Sequence, residues 1–203
     1  MEYLVTMTTT VPPGTAEADV DAIRTREAAR SGVLAAEGYL MRLWRPPLAP
    51  GEWRTLGLFS ADDDAELEEV LASMPLRVWR SDDVTPLRPH ANDPDQQADV
   101  PAPPAVGADG GEFLSEFSVS VPAGTANETV DDTNAREASR ARDLAAEGHL
   151  RRLWRLPGPD HALGLWRAHD SDEMEAVLAS LPLAAWMTVQ TTPLTPHPSD
   201  PAA

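Results

Sequence analysis

The sequence predicts an α+β protein made of two copies of one β-α-β-β-α-β unit, and two observations carry this prediction. The first is an internal repeat, because AAEGYLMRLWR, beginning at Ala35, returns as AAEGHLRRLWR, beginning at Ala145. The second is the order of the strand-like and helix-like periodicities within each copy. That order is the split βαβ arrangement of ferredoxin-like domains. Two such domains in one chain predict an intrachain pseudo-dimer, similar to a dimeric α/β barrel.

The repeat divides the 203 residues into three segments. The first copy spans residues 1–94 and the second spans 112–203, and their ends match as TPLRPHANDP and TPLTPHPSDP. The segment between them, residues 95–111, is rich in Pro, Ala, Gly and Asp. Because such a composition cannot build a packed core, we interpret it as a linker.

The elements of the first copy follow in the order strand, helix, strand, strand, helix, strand. Their predicted bounds are about 3–11, 16–37, 39–45, 56–60, 63–73 and 78–87. VPPGT breaks the first strand and offers Thr15 as a helix N-cap, and Gly38 is the expected stop of that helix. In the second copy Thr125 and Glu128 have the spacing of a capping box.

Composition excludes several function classes. The chain carries 16 basic and 33 acidic residues, a net charge of −17, so nucleic-acid backbones and anionic lipid surfaces would be repelled. It has neither lysine nor cysteine, which excludes Schiff-base and thiolate chemistry, disulfides and cysteine-ligated metals. The spacing of histidines and carboxylates matches no metal site, so we expect no metal. Without a signal-peptide pattern or a long apolar stretch, a soluble cytoplasmic protein is expected.

A carboxylate interrupts the apolar face of the first helix. At about 100° per residue, Glu27 falls between Val20 and Leu34, and Glu137 takes the same place in the second copy. A buried carboxylate must be paired, hydrogen-bonded or protonated. A structural ion pair is the ordinary explanation of such a residue. The alternative is a catalytic base with a pKa suited to proton transfer.

The arginines of the repeated strand are the expected partners of this carboxylate. Alternation puts Arg42 and Trp44 on one face of the strand and Arg45 on the other. One of the two arginines must therefore lie on the face covered by the helix. A carboxylate, an arginine and a tryptophan wall would form a pocket for an anionic organic molecule.

The motifs together resemble the muconolactone Δ-isomerase family. The resemblance is carried by VPPGT, REAAR, EGYLMRLWR, LASMPL and VTPLRPH in the first copy, and by VPAGT, REASR, EGHLRRLWR, LASLPL and TTPLTPH in the second. It implies a ferredoxin-like protein that forms homo-oligomers, here built from intrachain pseudo-dimers. It also implies a cofactor-free shift of a ring double bond in a small anionic lactone during aromatic compound catabolism.

The family's glutamate in the first helix matches Glu27 and Glu137, which we therefore take as the candidate catalytic bases. The candidate substrate-binding residues are Arg24, Tyr39, Arg42, Trp44 and Arg45 in the first copy, and His149, Arg152, Trp154 and Arg155 in the second. The chain departs from the family pattern where members usually carry lysine, at Arg24 and Asn134, and where many carry histidine, at Arg42 and Arg152. These departures make muconolactone itself doubtful as the substrate, and they suggest that one of the two copies is catalytically inactive.

The two tail histidines, His90 and His197, have two interpretations: exposed side chains on a proline-rich tail, or residues of a tail folded over a pocket. Three hypotheses for function also stay open. The first is an isomerase acting on an anionic unsaturated lactone, and the second is an isomerase or cyclase acting on a polyketide-like or other secondary metabolite. The third is a non-catalytic ligand-binding or assembly module.

Overall fold

The computed structural model describes residues 1–97 and 110–202. Within them the chain forms eight strands and four α-helices in the order β1 (Glu2–Thr9), α1 (Glu17–Ala36), β2 (Leu40–Arg45), β3 (Arg54–Ser60), α2 (Asp64–Ala72), β4 (Arg80–Pro89), β5 (Gly111–Val119), α3 (Asn127–Ala146), β6 (Leu150–Arg155), β7 (His161–Ala168), α4 (Ser171–Ala179) and β8 (Met187–Pro196). The chain divides into two compact units. One is Met1–Leu87 together with Thr195–Ala203, and the other is Arg88–Leu194.

The first unit is an antiparallel sheet with two helices packed against it. Strand β1 pairs with β3 and β4, and β3 pairs with β2. Strand β1 is buried at every second residue, as expected for a strand with one face in the core. The core joins this face to apolar residues of α1 and α2, among them Leu34, Leu67 and Leu71.

The second unit repeats this architecture. Strand β5 pairs with β7 and β8, and β7 pairs with β6. Its core joins Phe113, Phe117 and Trp166 of the sheet to Leu144 of α3 and Val177 of α4. The prediction of two ferredoxin-like βαββαβ units is therefore confirmed.

A bulge changes which residues of the repeated strand face the core. The pairing of β2 with β3 shifts between Leu40 and Arg42, so that Leu40 and Leu43 both enter the core cluster. Simple alternation therefore fails across Met41, and β6 has the same shift between Leu150 and Arg152.

One glycine in each unit makes room for a large aromatic residue two positions later. A Cβ at Gly57 would lie 2.4 Å from the Phe59 ring, and a Cβ at Gly164 would lie 2.3 Å from Nε1 of Trp166. A side chain at either glycine would displace that ring from the core, so the two positions require glycine.

The N-caps of the two long helices differ from those predicted. The N-caps are Ala16 and Ala126, without a side-chain cap. Thr15 and Thr125 instead donate their hydroxyl groups, each at 2.7 Å, to the carbonyls of Pro12 and Pro122. The threonine side chains therefore bond to the preceding proline turns and do not cap the helices. The predicted stop at Gly38 is confirmed, because that residue follows the helix with a φ of 85°.

The compact units and the sequence copies differ at the tails. The tail of the second copy, Thr195–Ala203, belongs to the first unit, and the tail of the first copy, from Arg88 onward, belongs to the second. Two residue pairs join each tail to a strand of its unit, Trp44 with Pro196 and Arg88 with Arg155 among them.

Most of the predicted linker, residues 98–109, lies outside the described residues. Its first residues belong to a short 3₁₀ turn, Pro94–Gln96, and its last residue begins β5. Among the described residues, no helix combines the length and the apolar character needed to cross a membrane.

Candidate active site

The first unit contains a cavity of about 400 Å³. Its lining comes from α1, β1, β2, β3, β4, the turn before β4 and the C-terminal tail. The polar residues among the lining are Thr9, Arg24, Glu27, Ser31, Arg45, Thr55, Arg80, His197 and Ser199. A cavity of this size suits a small organic molecule.

Glu27 is fixed in this cavity by both of its carboxylate oxygens. Oε2 accepts a hydrogen bond of 2.8 Å from the backbone N–H of Leu76, and Oε1 accepts one of 3.1 Å from Nη1 of Arg80. The side chain is 12% exposed, which places it on the buried face of α1, as the helical wheel predicts. Burial raises the pKa of Glu27, although the Leu76 N–H and Arg80 partly oppose the shift.

The ion-pair partner of Glu27 is Arg80, so the prediction that its partner is an arginine of β2 is wrong. Arg80 lies at the start of β4, opposite Thr9 in the register with β1, and its side chain is 2% exposed. It also forms an ion pair with Asp82, with 2.6 Å between Nε and Oδ1, and Asp82 in turn contacts Arg77. Glu27 therefore belongs to a buried network of charges and not to an isolated pair.

A signal for this network was present in the sequence. The second copy has Met187 where the first has Arg80, and Val189 where the first has Asp82. Apolar residues two apart on a strand mark a face that points inward. The two charged residues of the first copy therefore had to be buried together.

Two further arginines line the cavity. The guanidinium carbon of Arg24 lies 4.5 Å from the ring centroid of Trp53, which also lines the cavity. Arg45 is exposed, and its charge together with burial lowers the pKa of His197. Both were predicted to bind substrate, and their placement leaves them accessible to an anion entering the cavity.

The C-terminal tail is held beside the cavity by Asp200, whose side chain is fully buried. Its carboxylate accepts a hydrogen bond of 3.0 Å from the backbone N–H of Leu43 and pairs with Arg42 at the same distance. His197 and Ser199 line the cavity as a result. The half-buried His197 corrects the interpretation of an exposed tail histidine.

Three predicted substrate-binding residues do not line this cavity. Arg42 pairs with Asp200 and lies 4.7 Å from the ring centroid of Trp44, which is itself buried. The bulge in β2 turns both away from the face that carries Leu43 and Arg45. Tyr39 donates its hydroxyl to Oε1 of Glu66 at 2.9 Å, away from the cavity.

The second unit has a corresponding cavity of about 310 Å³. Glu137 lines it and accepts a hydrogen bond of 2.9 Å from the backbone N–H of Leu183, the counterpart of Leu76. Burial raises its pKa, as for Glu27. His90 and Asn92 of the first copy's tail also line this cavity, so His90 too is half-buried and not an exposed tail residue.

The other residues predicted for the second copy lie outside its cavity lining. Arg152 pairs with Asp93 and lies 4.8 Å from the ring centroid of the buried Trp154. Nδ1 of His149 lies 2.9 Å from the carbonyl oxygen of Arg167. Arg155 is exposed, and its charge adds to burial in lowering the pKa of His90. The same bulge and the same tail contact explain these placements.

Comparison with known proteins identifies the family. The family model described as muconolactone delta-isomerase matches residues 1–93 and 112–200, which is most of both copies. The chain belongs to the muconolactone Δ-isomerase family. Curated relatives match less than half of this chain over nearly their whole length. The chain is 32% identical to muconolactone Δ-isomerase of Cupriavidus pinatubonensis over 87 residues, which are 43% of this chain and 95% of that protein. It is 28% identical to the enzyme of Rhodococcus opacus over 88 residues, 43% of this chain and 95% of that protein.

Solved structures extend the comparison of the fold beyond this isomerase family. A heme-binding protein from Thermus thermophilus has a TM-score of 0.59 at 11% identity, with 98% of this chain and 93% of that chain covered. Chlorite dismutase from Candidatus Nitrospira defluvii has a TM-score of 0.56 at 8% identity, with 96% and 91% covered. At such identities the likeness shows the fold alone.

Proposed function

We propose that the first unit is a cofactor-free isomerase that shifts a double bond in a small anionic unsaturated lactone. The observation that carries the proposal is the setting of Glu27, a carboxylate held by a backbone N–H and a buried arginine in a cavity with two further arginines. Family membership supports the reaction class, since the matched relatives are muconolactone Δ-isomerases.

Charge favours an anionic substrate. The described residues lining the cavity include three arginines, Arg24, Arg45 and Arg80, and a single carboxylate, Glu27. Arg80 is committed to Glu27 and Asp82, so Arg24 and Arg45 are the groups for the substrate carboxylate. Arginine suits this role because its planar guanidinium binds a carboxylate through two parallel hydrogen bonds.

The reaction needs one base and one group that stabilises an anion. In the proposed mechanism Glu27 removes a proton from the ring carbon at the γ position of the conjugated lactone, and the electron pair moves through the double bond into a dienolate. The proton then returns from Glu27 to the far end of the allylic system, so the base is regenerated and the double bond has moved. The arginines of the cavity stabilise the negative charge of the dienolate while it exists.

The pKa of Glu27 fits this cycle. Burial raises it, which strengthens the carboxylate as a base, whereas Arg80 and the Leu76 N–H keep the anion accessible. We propose that the first unit performs this reaction and that Glu137 does not act as a second base for the same substrate. We also propose that the protein is cytoplasmic, forms homo-oligomers and acts in the catabolism of aromatic compounds.

The test is a spectrophotometric assay of the full chain on muconolactone, with Glu27→Gln compared to its counterpart Glu137→Gln. A positioned general base contributes about 10²–10⁴-fold, so Glu27→Gln should lower kcat/KM by that factor, and Glu137→Gln should leave it unchanged. Glutamine keeps an oxygen to accept the Leu76 N–H, and urea unfolding of each variant controls for stability.

Two outcomes would contradict the proposal. An equal loss in both glutamine variants would argue against a single active unit. No turnover of muconolactone or other carboxylated butenolides by the wild-type chain would favour a non-catalytic binding module. Turnover of polyketide-like substrates alone, lost in Glu27→Gln, would keep the base and change the substrate class to a secondary metabolite.

A further inference from the structure

The cavity of the second unit has the position of the first but a different chemistry. Of the residues that line the first cavity, five polar ones have less polar or apolar counterparts in the second. The pairs are Thr9 with Val119, Arg24 with Asn134, Ser31 with Ala141, Thr55 with Ala162 and Arg80 with Met187. None of the described residues lining the second cavity is an arginine.

The described lining of the second cavity therefore carries no fixed positive charge. Its ionisable lining residues are Glu137 and His90. Burial and the neighbouring charge of Arg155 lower the pKa of His90, which favours the neutral ring. In the described parts of the chain, Glu137 forms no ion pair, since methionine replaces the arginine that binds Glu27. An anion entering this cavity would lose its hydration without gaining a cationic partner.

One buried donor in this cavity lacks an acceptor. Trp166 lines the cavity and is 2% exposed, and its indole N–H has no hydrogen-bond partner among the described residues. The ring packs edge-on against Phe117, with 6.1 Å between centroids. A buried N–H without an acceptor is unfavourable for the folded chain. The first unit has Phe59 at this position and carries no such donor.

We propose that the second unit is a separate binding site for an uncharged, largely apolar small molecule with a carbonyl oxygen, such as a neutral lactone or enone. The apolar lining buries its ring. The side-chain amides of Asn92 and Asn134, which line the cavity, are the donors available to its carbonyl. The site and its ligand class do not depend on the first unit's being an isomerase.

The experiment titrates the full chain, by isothermal calorimetry, with coumarin, a neutral bicyclic lactone, and with coumarin-3-carboxylate, its anionic counterpart. We expect one molecule of coumarin to bind per chain, at least tenfold more tightly than the carboxylate binds at the same site. The matched variants are Ala138→Phe, which fills the second cavity from α3, and Ala28→Phe at the equivalent position of α1.

Ala138→Phe should abolish coumarin binding, whereas Ala28→Phe should leave it intact. A second readout is the indole N–H resonance of Trp166, assigned by its absence in Trp166→Phe, which should shift on addition of coumarin. It keeps the test decisive if Ala138→Phe fails to fold.

Three results would overturn the proposal: no coumarin binding up to its solubility limit, loss of binding in Ala28→Phe but not in Ala138→Phe, or equal affinity of the second unit for the carboxylate. The assay does not use turnover, so its failure is distinguishable from failure of the proposed isomerase.

Discussion

In the first unit the glutamate of the long helix faces an arginine, and in the second the equivalent glutamate faces a methionine. Both glutamates keep the same backbone hydrogen bond, from Leu76 in one unit and from Leu183 in the other. The backbone setting of the carboxylate was thus retained while its charged partner was not. The hydrogen bond from the backbone N–H is therefore common to the fold of both units, whereas the contact with an arginine is specific to the first cavity.

The contact that holds each tail is shared by both units. Asp200 accepts from the N–H of Leu43, and Asp93 accepts from the N–H of Leu153 at 3.1 Å. Each aspartate also pairs with the arginine that precedes that residue. A fully or nearly buried carboxylate that satisfies a backbone donor is costly to lose, which explains why both units keep it. The residues lining the cavities were freer to diverge.

The largest difference should come from exchanging the residues that distinguish the two cavities. Arg80→Met gives the first unit the residue of the second and leaves Asp82, whose side chain is 2% exposed, without one of its two arginine partners. Breaking a buried ion pair costs about 3–5 kcal/mol, and we expect the lower end because Arg77 still contacts Asp82. Urea unfolding measures this loss.

The control for that substitution is the double variant Arg80→Met, Asp82→Val, which installs both residues of the second unit. It removes the buried charge together with its partner, so most of the lost stability should return. Turnover should be low in both the single and the double variant, because Glu27 lacks its arginine in each. If the double variant is as unstable as the single one, the network is not what stabilises the first unit.

A smaller effect should come from losing either tail contact. Asp200→Ala leaves the buried N–H of Leu43 without an acceptor, a loss of about 1–3 kcal/mol. Asp93→Ala leaves the N–H of Leu153 without an acceptor and should cost a similar amount. Denaturant unfolding gives both values.

The same pair also separates stability from activity. Asp200→Ala should lower turnover, since it releases the tail that carries His197 into the first cavity. Asp93→Ala should preserve turnover, since its tail lines only the second cavity. Equal losses of activity would place the reaction in both units.

The smallest expected effect is a dependence of stability on pH. Burial lowers the pKa of both tail histidines below their ordinary value, so the unfolded chain takes up a proton first as the pH falls through about 6.5. The two histidines should therefore contribute a decrease in the free energy of unfolding from pH 7 toward pH 5. His90→Asn and His197→Asn should each flatten this decrease.

The two histidines should differ in size of effect. Burial and a neighbouring arginine lower both pKa values, with Arg155 beside His90 and Arg45 beside His197, but Asp200 opposes the shift only for His197. We therefore expect His90→Asn to flatten the profile more than His197→Asn. Thermal unfolding across this pH range measures both, and an identical profile for all three chains would contradict the assignment.

Much of the fold was predictable from local patterns. The repeat, the order of strands and helices and the stop at Gly38 all follow from periodicity and turn residues. The buried position of Glu27 follows as well, because side chains on a helix recur at a fixed angle. Caps were less predictable, since the Thr15 hydroxyl, whose oxygen could have accepted a helix N–H, instead donates to the carbonyl of Pro12.

The sequence by itself determined two ferredoxin-like copies, a glutamate on the buried face of each long helix and the loss of polar residues from the second copy. Only the tertiary structure decided which groups those glutamates meet. A bulge turned Arg42 toward Asp200, and the tails joined the opposite units, bringing His197 and His90 to the cavities. Local periodicity fixes the face on which a side chain lies, but its partner depends on contacts between residues far apart in the chain.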